Sequence, residues 1–274
     1  VRANDRKREM EVNGKAQTVP VGGMMVAFGT GRNITKAPNN GDPANTNKQT
    51  LYSVLDNTRY RLDGDKKDRV KVCASETDGA CSKLLSSSDD QPQTVAFSQL
   101  VQRSIPTTAA HTRDGKSFWT VDATTQMDWA TKKGWYMDLP DSRERLLKPL
   151  DFYDGSNLLS VLSQVPAQGS RLDPNVESCD AGTVGEERQY LTIINIMDGK
   201  RPSVQVMNTD GRNGYNLAAD LGASRMSMPP GAITMIKRGG KMVVSGTRKD
   251  GTRVEEELAL LPEMSMRPSW RQLK

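Results

Sequence analysis

The chain has 274 residues and a mass of 30.2 kDa, which excludes a mini-protein and allows one large domain or two small ones. Lys and Arg number 38 against 33 Asp and Glu, a net charge of +5 with an isoelectric point near 9.1; this excess demands no nucleic acid. With 35% hydrophobic and 26% charged residues and a mean hydropathy of −0.63, the composition excludes global disorder and predicts a folded chain with long polar loops. No run reaches the length of a membrane-spanning helix, so no membrane insertion is expected. The opening Val1-Arg2-Ala3-Asn4-Asp5-Arg6-Lys7-Arg8 has no apolar signal-peptide core; a start on Val within a charged segment suggests a piece of something longer.

In chain order, the first clear element is a strand over Met24 to Phe28 that runs into Gly29-Thr30-Gly31-Arg32-Asn33. A phosphate-cradling loop needs a third glycine where Ile34 stands, and Pro38 follows, so the two glycines read as a bend at a strand end. The polar stretch Lys36 to Gln49 is a surface insertion, and a second strand spans Leu51 to Leu55. Asp63-Gly64-Asp65 with Asp68 resembles part of a calcium loop, but Lys66 and Lys67 sit among the would-be ligands, which favours a solvated turn. Cys73 and Cys81 bracket a short Ser/Asp/Gly-containing loop and suit a small disulfide-closed loop in an oxidising compartment, leaving Cys179 unpaired.

After the polar Ser86 to Gln93 comes the best helical candidate, Phe97 to Val101, ended by Pro106. His111 is the only histidine, which excludes a multi-histidine metal centre; with no nucleophile signature nearby it reads as an exposed loop residue. Further strands are expected over Ser117 to Val121, Gly134 to Leu139, Leu158 to Val165, Tyr190 to Met197 and Ser203 to Met207. Asn208-Thr209-Asp210-Gly211 with Asn213 reads first as a turn, with a weak cation site as the lesser alternative. Ala232 to Lys237, Lys241 to Gly246 and Thr252 to Leu258, separated by Gly239-Gly240 and Asp250-Gly251, predict a three-stranded meander. Its Glu255-Glu256-Glu257 reads as a charged edge that discourages sheet-to-sheet association. Trp119, Trp135 and Trp270 are expected in packing positions. The fold class is therefore all-β; composition and spacing leave a sandwich and a propeller with decorated blades both open.

Four segments, in order and at matching spacing, resemble the PilY/PilC type of type IV pilus tip-associated proteins. They are Val26 to Arg32 with its Gly-Thr-Gly, Gln49 to Asn57, Lys133 to Pro140 followed by Arg143-Glu144-Arg145-Leu146, and Pro268 to Leu273, together spanning nearly the whole chain. Two departures stand out: Ser142 or Arg143 occupies the place of a glycine before Glu-Arg, and Asn175 to Gln189 around Cys179 keeps only a loose likeness.

The resemblance implies that residues 1–274 form the C-terminal portion of a β-propeller domain: several antiparallel blades with polar insertions, an incomplete ring whose other blades lie upstream. It implies calcium bound upstream and no cofactor or metal in this segment. It implies a non-enzymatic role at an extracellular pilus tip, reached through the periplasm, with minor and major pilins as partners, support of assembly against retraction, and adhesion to host cells or abiotic surfaces. Contacts are then expected on the loops Lys36 to Gln49 and Cys73 to Cys81. Two alternatives are a quinoprotein-like propeller enzyme, for which no axial cofactor constellation is found, and a DNA-contacting pilus component, which rests on the +5 charge alone.

Overall fold

The structure, a computed structural model, describes residues 7–12, 15–20, 23–31, 45–58, 60–62, 69–73, 94–122, 124–129, 131–167, 187–212, 214–248 and 250–261. In chain order the strands are β1 (Lys7–Val12), β2 (Lys15–Pro20), β3 (Met24–Gly29), β4 (Thr50–Asp56), β5 (Tyr60–Leu62), β6 (Val70–Val72), β7 (Leu100–Arg103), β8 (His111–Arg113) and β9 (Lys116–Trp119). They continue with β10 (Gly134–Asp138), β11 (Asp151–Phe152), β12 (Leu158–Val165), β13 (Arg188–Asn195), β14 (Arg225–Met228), β15 (Ile233–Arg238), β16 (Lys241–Thr247) and β17 (Arg253–Ala259). Helix among the described residues is limited to two single 3-10 turns, Phe97–Gln99 and Tyr153–Gly155.

Three of the sheets carry the architecture. A four-stranded sheet has the order β3-β4-β10-β7, a six-stranded sheet the order β11-β12-β13-β14-β9-β8, and a three-stranded meander the order β15-β16-β17. Two separate ribbons, β1-β2 and β5-β6, complete the set, and none of these sheets closes into a barrel. All pairings are antiparallel except β10 with β7.

The stacking follows from side-chain alternation. On β12 and β13, Leu159, Val161 and Ile194, with Ile196 just past the end of β13, point to one side and Leu158, Leu191 and Ile193 to the other, so the central sheet is apolar on both faces. The first set meets Met25, Leu51, Leu55, Val101, Trp135 and Met137 of the four-stranded sheet. The second meets Val244 and Leu258 of the meander, with Phe118, Met226 and Val206 between. Burying this much aliphatic and aromatic surface, at about 25 cal/mol per Å² of apolar area, is what holds the three sheets together.

Polar ties add register. The indole Nε1 of Trp135 and the hydroxyl of Ser53 both donate to the carbonyl of Ile196, at 2.9 and 2.8 Å, across the first interface. The hydroxyl of Tyr153 donates to the carbonyl of Ala259 at 2.5 Å, and Asp154 pairs with Lys237 at 2.8 Å, across the second. Gly199, at φ 68°, lies so close over Trp135 that a Cβ there would fall 2.6 Å from the indole.

Several expectations are corrected. Phe97 to Val101 forms one 3-10 turn and then enters β7, because Leu100 and Val101 pair with β10 and are buried. Ser203 to Met207 forms no strand; it makes a single bridge, Met207 with Leu258, and the Val206 carbonyl accepts from the Ala259 amide at 3.0 Å. His111 lies not in a loop but in the edge strand β8, half-buried and paired with Phe118. Glu256 is buried and ion-paired across sheets, so the Glu255 to Glu257 run is only in part a solvated edge.

Candidate functional site

Three of the four segments that carry the family resemblance converge on one place. The Thr30 hydroxyl accepts from the Thr50 amide at 2.7 Å while the Thr30 amide donates to the Thr50 carbonyl at 2.9 Å. The Thr50 hydroxyl donates to the Asp138 carboxylate at 2.6 Å, and the Leu139 amide donates to the Gln49 carbonyl at 2.8 Å. The backbone of Gly29 comes so close to Leu146 that a Cβ there would fall 2.1 Å from it, and Gly31 packs tightly on Arg145, where a Cβ would lie 3.1 Å away; Gly31 also has φ 118°, which a glycine adopts without strain. Arg145 is buried and donates from Nη2 to the carbonyl of Asn45 at 3.0 Å, while its backbone bridges Gln164 of β12.

The neighbouring Glu144 reaches furthest into the molecule. Its carboxylate is fully buried and accepts two bonds from Arg225 of β14, at 2.8 and 3.0 Å, in the bidentate fork geometry of a guanidinium. The Ser163 hydroxyl and the Asp141 amide donate to it as well. The Arg225 guanidinium lies 4.0 Å from the centroid of the Tyr190 ring and 5.5 Å from that of Trp119. The Tyr190 hydroxyl in turn donates to Asp141, which also pairs with Arg188 at 3.0 Å. Burial first, and then the bond to Asp141, push the Tyr190 phenol well above its usual range. Arg143 stands here in the left-handed region at φ 65°, so the glycine-like backbone of the motif is kept by a residue with a side chain.

This cluster has the chemistry of a structural tie. Its named carboxylates each accept from internal donors, and the hydroxyl that meets Glu144, that of Ser163, is buried with it behind the Arg225 guanidinium. Neither His111 on its edge strand nor any described group of three or more His, Cys, Asp or Glu side chains forms a metal-holding set.

A polar cleft of about 610 Å³ opens between β8-β9, the 208–215 loop and β17. Glu256 binds Arg113 at 2.6 Å and also Lys116, and Arg113 donates to the carbonyl and side-chain oxygens of Asn208 at 2.8 and 3.0 Å. Asn208 accepts from the Gly211 amide at 2.7 Å and Asp220 from the Thr209 and Asn216 amides at 2.6 and 2.8 Å. The loop oxygens are thus turned onto backbone amides and Arg113, the arrangement of a stapled turn.

Cys73 is fully buried and disulfide-bonded. Its expected partner Cys81 lies outside the described residues, as do Cys179, Trp270, Asp63, Asp65, Asp68, Asn213 and most of the Lys36 to Gln49 insertion. Trp135 lies in the first core and Trp119 packs edge-on against Tyr190 at 5.5 Å. Sequence reasoning missed the Glu144–Arg225 pair: the Arg143-Glu144-Arg145 run was visible, but nothing local distinguishes a buried carboxylate from a surface one.

No family model matches the sequence, and no curated protein matches it. Among solved structures, the chain resembles the crystal structure of the Pseudomonas aeruginosa PilY1 C-terminal domain, with a TM-score of 0.52 at 14% identity over 88% of this chain. The fold is that of the PilY1 C-terminal domain. The expected all-β, propeller-like segment is therefore the observed one, and the likeness read from the four segments meets a likeness in three dimensions. The chain spans about two fifths of that structure's length, 42%. No described helix is long and apolar enough to cross a membrane.

Proposed function

We propose that the chain is a non-catalytic, propeller-like scaffold of a type IV pilus, exposed outside the cell at the fibre tip. In this reading it contacts minor and major pilins, supports assembly against retraction and contributes to attachment to host or abiotic surfaces. The observation that carries it is the shared fold with the PilY1 C-terminal domain over nearly all of the chain, together with the convergence of the resembling segments on one structural knot. The knot supports a scaffold because the Glu144 carboxylate, both Nη atoms of Arg225 and the hydroxyls of Ser163 and Thr50 are held by bonds within the fold, which leaves recognition to the loops that a rigid frame displays. In the same proposal Cys73 pairs with Cys81 to close one such loop in an oxidising compartment, and calcium belongs to a part of the family's domain upstream of this segment.

The test is a strain lacking the gene. Surface piliation and attachment are expected to fall, and piliation to return when the retraction motor is also removed; normal piliation and attachment in the single deletion overturn the reading. A variant with residues 74–80 replaced by a Gly/Ser stretch of equal length, which keeps Cys73 and Cys81 able to bond, is expected to keep piliation and lose attachment. Absorbance of a bound quinone in the purified protein would instead favour a propeller enzyme.

A further inference from the structure

A second cleft, of about 740 Å³, opens where the start of β12, the turn after β13 and the residues just past β17 meet, and it shares no lining residue with the knot or the polar cleft. Its frame is pinned by backbone bonds. The Ile196 amide donates to the Asn157 carbonyl at 3.0 Å, the Asn195 amide to the Lys200 carbonyl at 2.8 Å and the Gly222 amide to the Leu217 carbonyl at 2.9 Å. The Leu261 amide donates to the Asp154 carboxylate at 3.2 Å. The cleft is therefore formed before any ligand arrives. Leu158, Pro202, Val204, Leu217 and Leu261 give it an apolar wall, on which Val204 and Leu217 are 37 and 40% exposed. Its charged lining is Asp198, Lys200 and Arg201.

Arg103, Arg113, Arg145 and Arg225 spend guanidinium donors on carbonyls or carboxylates of the fold. Arg201 is half-buried, yet among the described residues it makes no hydrogen bond and no ion pair. Its guanidinium is nonetheless held in place. A Cβ at Gly222, which has φ 63°, would fall 2.9 Å from Cζ and Nη1 and 3.0 Å from Nε, so the planar group lies over a backbone position that only glycine leaves open. An oriented, half-buried fork with its donors unspent fits an anion. The rest of the lining narrows which one. Asp198 accepts from the Lys200 amide at 3.0 Å, and the Lys200 ammonium is committed to Gln126 at 2.7 Å. Lys200 offsets Asp198 and leaves one positive charge in excess, which suits a singly charged carboxylate better than a phosphate. The apolar wall beside it suits an aliphatic chain.

We propose that this cleft binds an aliphatic carboxylate, its anionic head on the Arg201 fork and its hydrocarbon against Val204 and Leu217. Such a group belongs to a peptide C-terminus with an apolar last residue or to a fatty acid. The proposal rests on the cleft alone and is independent of any pilus role. Titration of the isotope-labelled chain, followed by amide chemical shifts, tests it with four probes: N-acetyl-leucine, octanoate, N-acetyl-leucinamide and inorganic phosphate. Saturable shifts at Gly199, Ser203, Leu217 and Gly222 are expected with the two carboxylates and absent with the leucinamide and phosphate. Tighter binding of N-acetyl-leucine identifies a peptide terminus as the source, and tighter binding of octanoate a fatty acid. Arg201→Gln removes no hydrogen bond or ion pair among the described residues, so its melting temperature is expected to match wild type. Its carboxylate affinity is expected to fall about tenfold to a hundredfold, the loss of a charge-assisted bond. No response to either carboxylate, an equal response to the leucinamide, or a stronger one to phosphate overturns the proposal. So do shifts spread over Met24, Val26 and Phe28 instead of the cleft, or a fully folded Arg201→Gln variant with unchanged affinity.

Discussion

Replacing Glu144 by Gln removes one charge and almost no volume from the interior, so its cost reads the electrostatics of the knot directly. In the native protein the carboxylate is 0% and Arg225 1% exposed, and the carboxylate accepts from both Nη atoms of Arg225, from Ser163 and from the Asp141 amide. The glutamine presents one carbonyl oxygen and an NH₂ that faces the guanidinium donors, leaving a buried positive charge with one acceptor fewer. Breaking a buried pair in this way costs about 3–5 kcal/mol. Stacking on Tyr190 survives the change and returns about 1–2 kcal/mol of cation–π stabilisation in both states of the comparison, so it does not offset the loss. For a domain of this size each kcal/mol moves the melting temperature by about 2–4 °C, which places the expected drop near 10 °C. Urea unfolding at pH 7, followed by tryptophan fluorescence, gives the free energy. The double variant Glu144→Leu with Arg225→Met, which removes both charges, is expected to recover most of the loss. A single Glu144→Gln variant within about 1 kcal/mol of wild type would falsify the assignment of this pair as the tie between the motif loop and the central sheet.

Backbone strain supplies a matched pair of expectations. Leu221 sits at φ 55° with an exposed side chain, so Leu221→Gly relieves about 1–2 kcal/mol of left-handed strain, less roughly 0.5–1 kcal/mol for the freer unfolded chain, a small net gain. Gly199→Ala does the reverse, with left-handed strain and a Cβ pressed on Trp135, at about 2–4 kcal/mol; equal melting temperatures for the two variants would refute the backbone assignment. Alkaline pH is a third lever. Burial raises the phenols of Tyr153 and Tyr190 above their ordinary value of 10.0, so the folded state holds protons that the unfolded state loses first. Their contribution is complete below pH ~10 and is lost as pH climbs through the raised values. Tyr190→Phe is expected to flatten that decline, and an unchanged slope counts against it. Finally, mass spectrometry after alkylation of exported protein is expected to show one reactive thiol without reductant and three with it. The roughly nine-residue loop closed by a Cys73–Cys81 bond contributes ~2–3 kcal/mol; three thiols without reductant exclude the bond.

The parts of the fold legible in the sequence are those decided locally. The meander follows from Gly239-Gly240, whose φ angles of 59° and 74° make the tight turn between Arg238 and Lys241, and from the alternating runs on either side. The same logic applies to Asp114-Gly115 between β8 and β9, at φ 50° and 74°, yet His-Thr-Arg before that turn is too polar to read as a strand. The β1–β2 ribbon likewise carries Asn13-Gly14 in a segment whose charge masks the pattern. Other features are set by tertiary partners. The parallel pairing of β7 with β10 has no local signature, and Ser203 to Met207 alternates like a strand but meets β17 only through a bridge of Met207 to Leu258 and a bond from the Ala259 amide to the Val206 carbonyl. Glu144 and Arg225 lie 81 residues apart, and hydropathy assigns both to the surface until the sheets are stacked.

The knot and the loops make opposite demands on a substitution, which separates scaffold from recognition. Thr50 links Thr30 to Asp138 through one hydroxyl and one amide, at 2.6 and 2.7 Å, on a residue 8% exposed. Thr50→Val keeps the shape and the amide and removes the hydroxyl donor, so the Asp138 carboxylate loses a charge-assisted bond worth about 1.5–3 kcal/mol. Stability is expected to fall by that amount, while attachment per folded molecule is unchanged, because Thr50 is buried and bonded to Thr30 and Asp138. Replacement of residues 74–80 by a Gly/Ser stretch of equal length, which leaves a Cys73–Cys81 bond intact, is expected to show the converse, with attachment lost and the unfolding midpoint little moved. Unfolding and attachment measured on the same two purified variants decide the matter. Loss of attachment in a fully folded Thr50→Val protein would place recognition in the knot itself and overturn its reading as a frame.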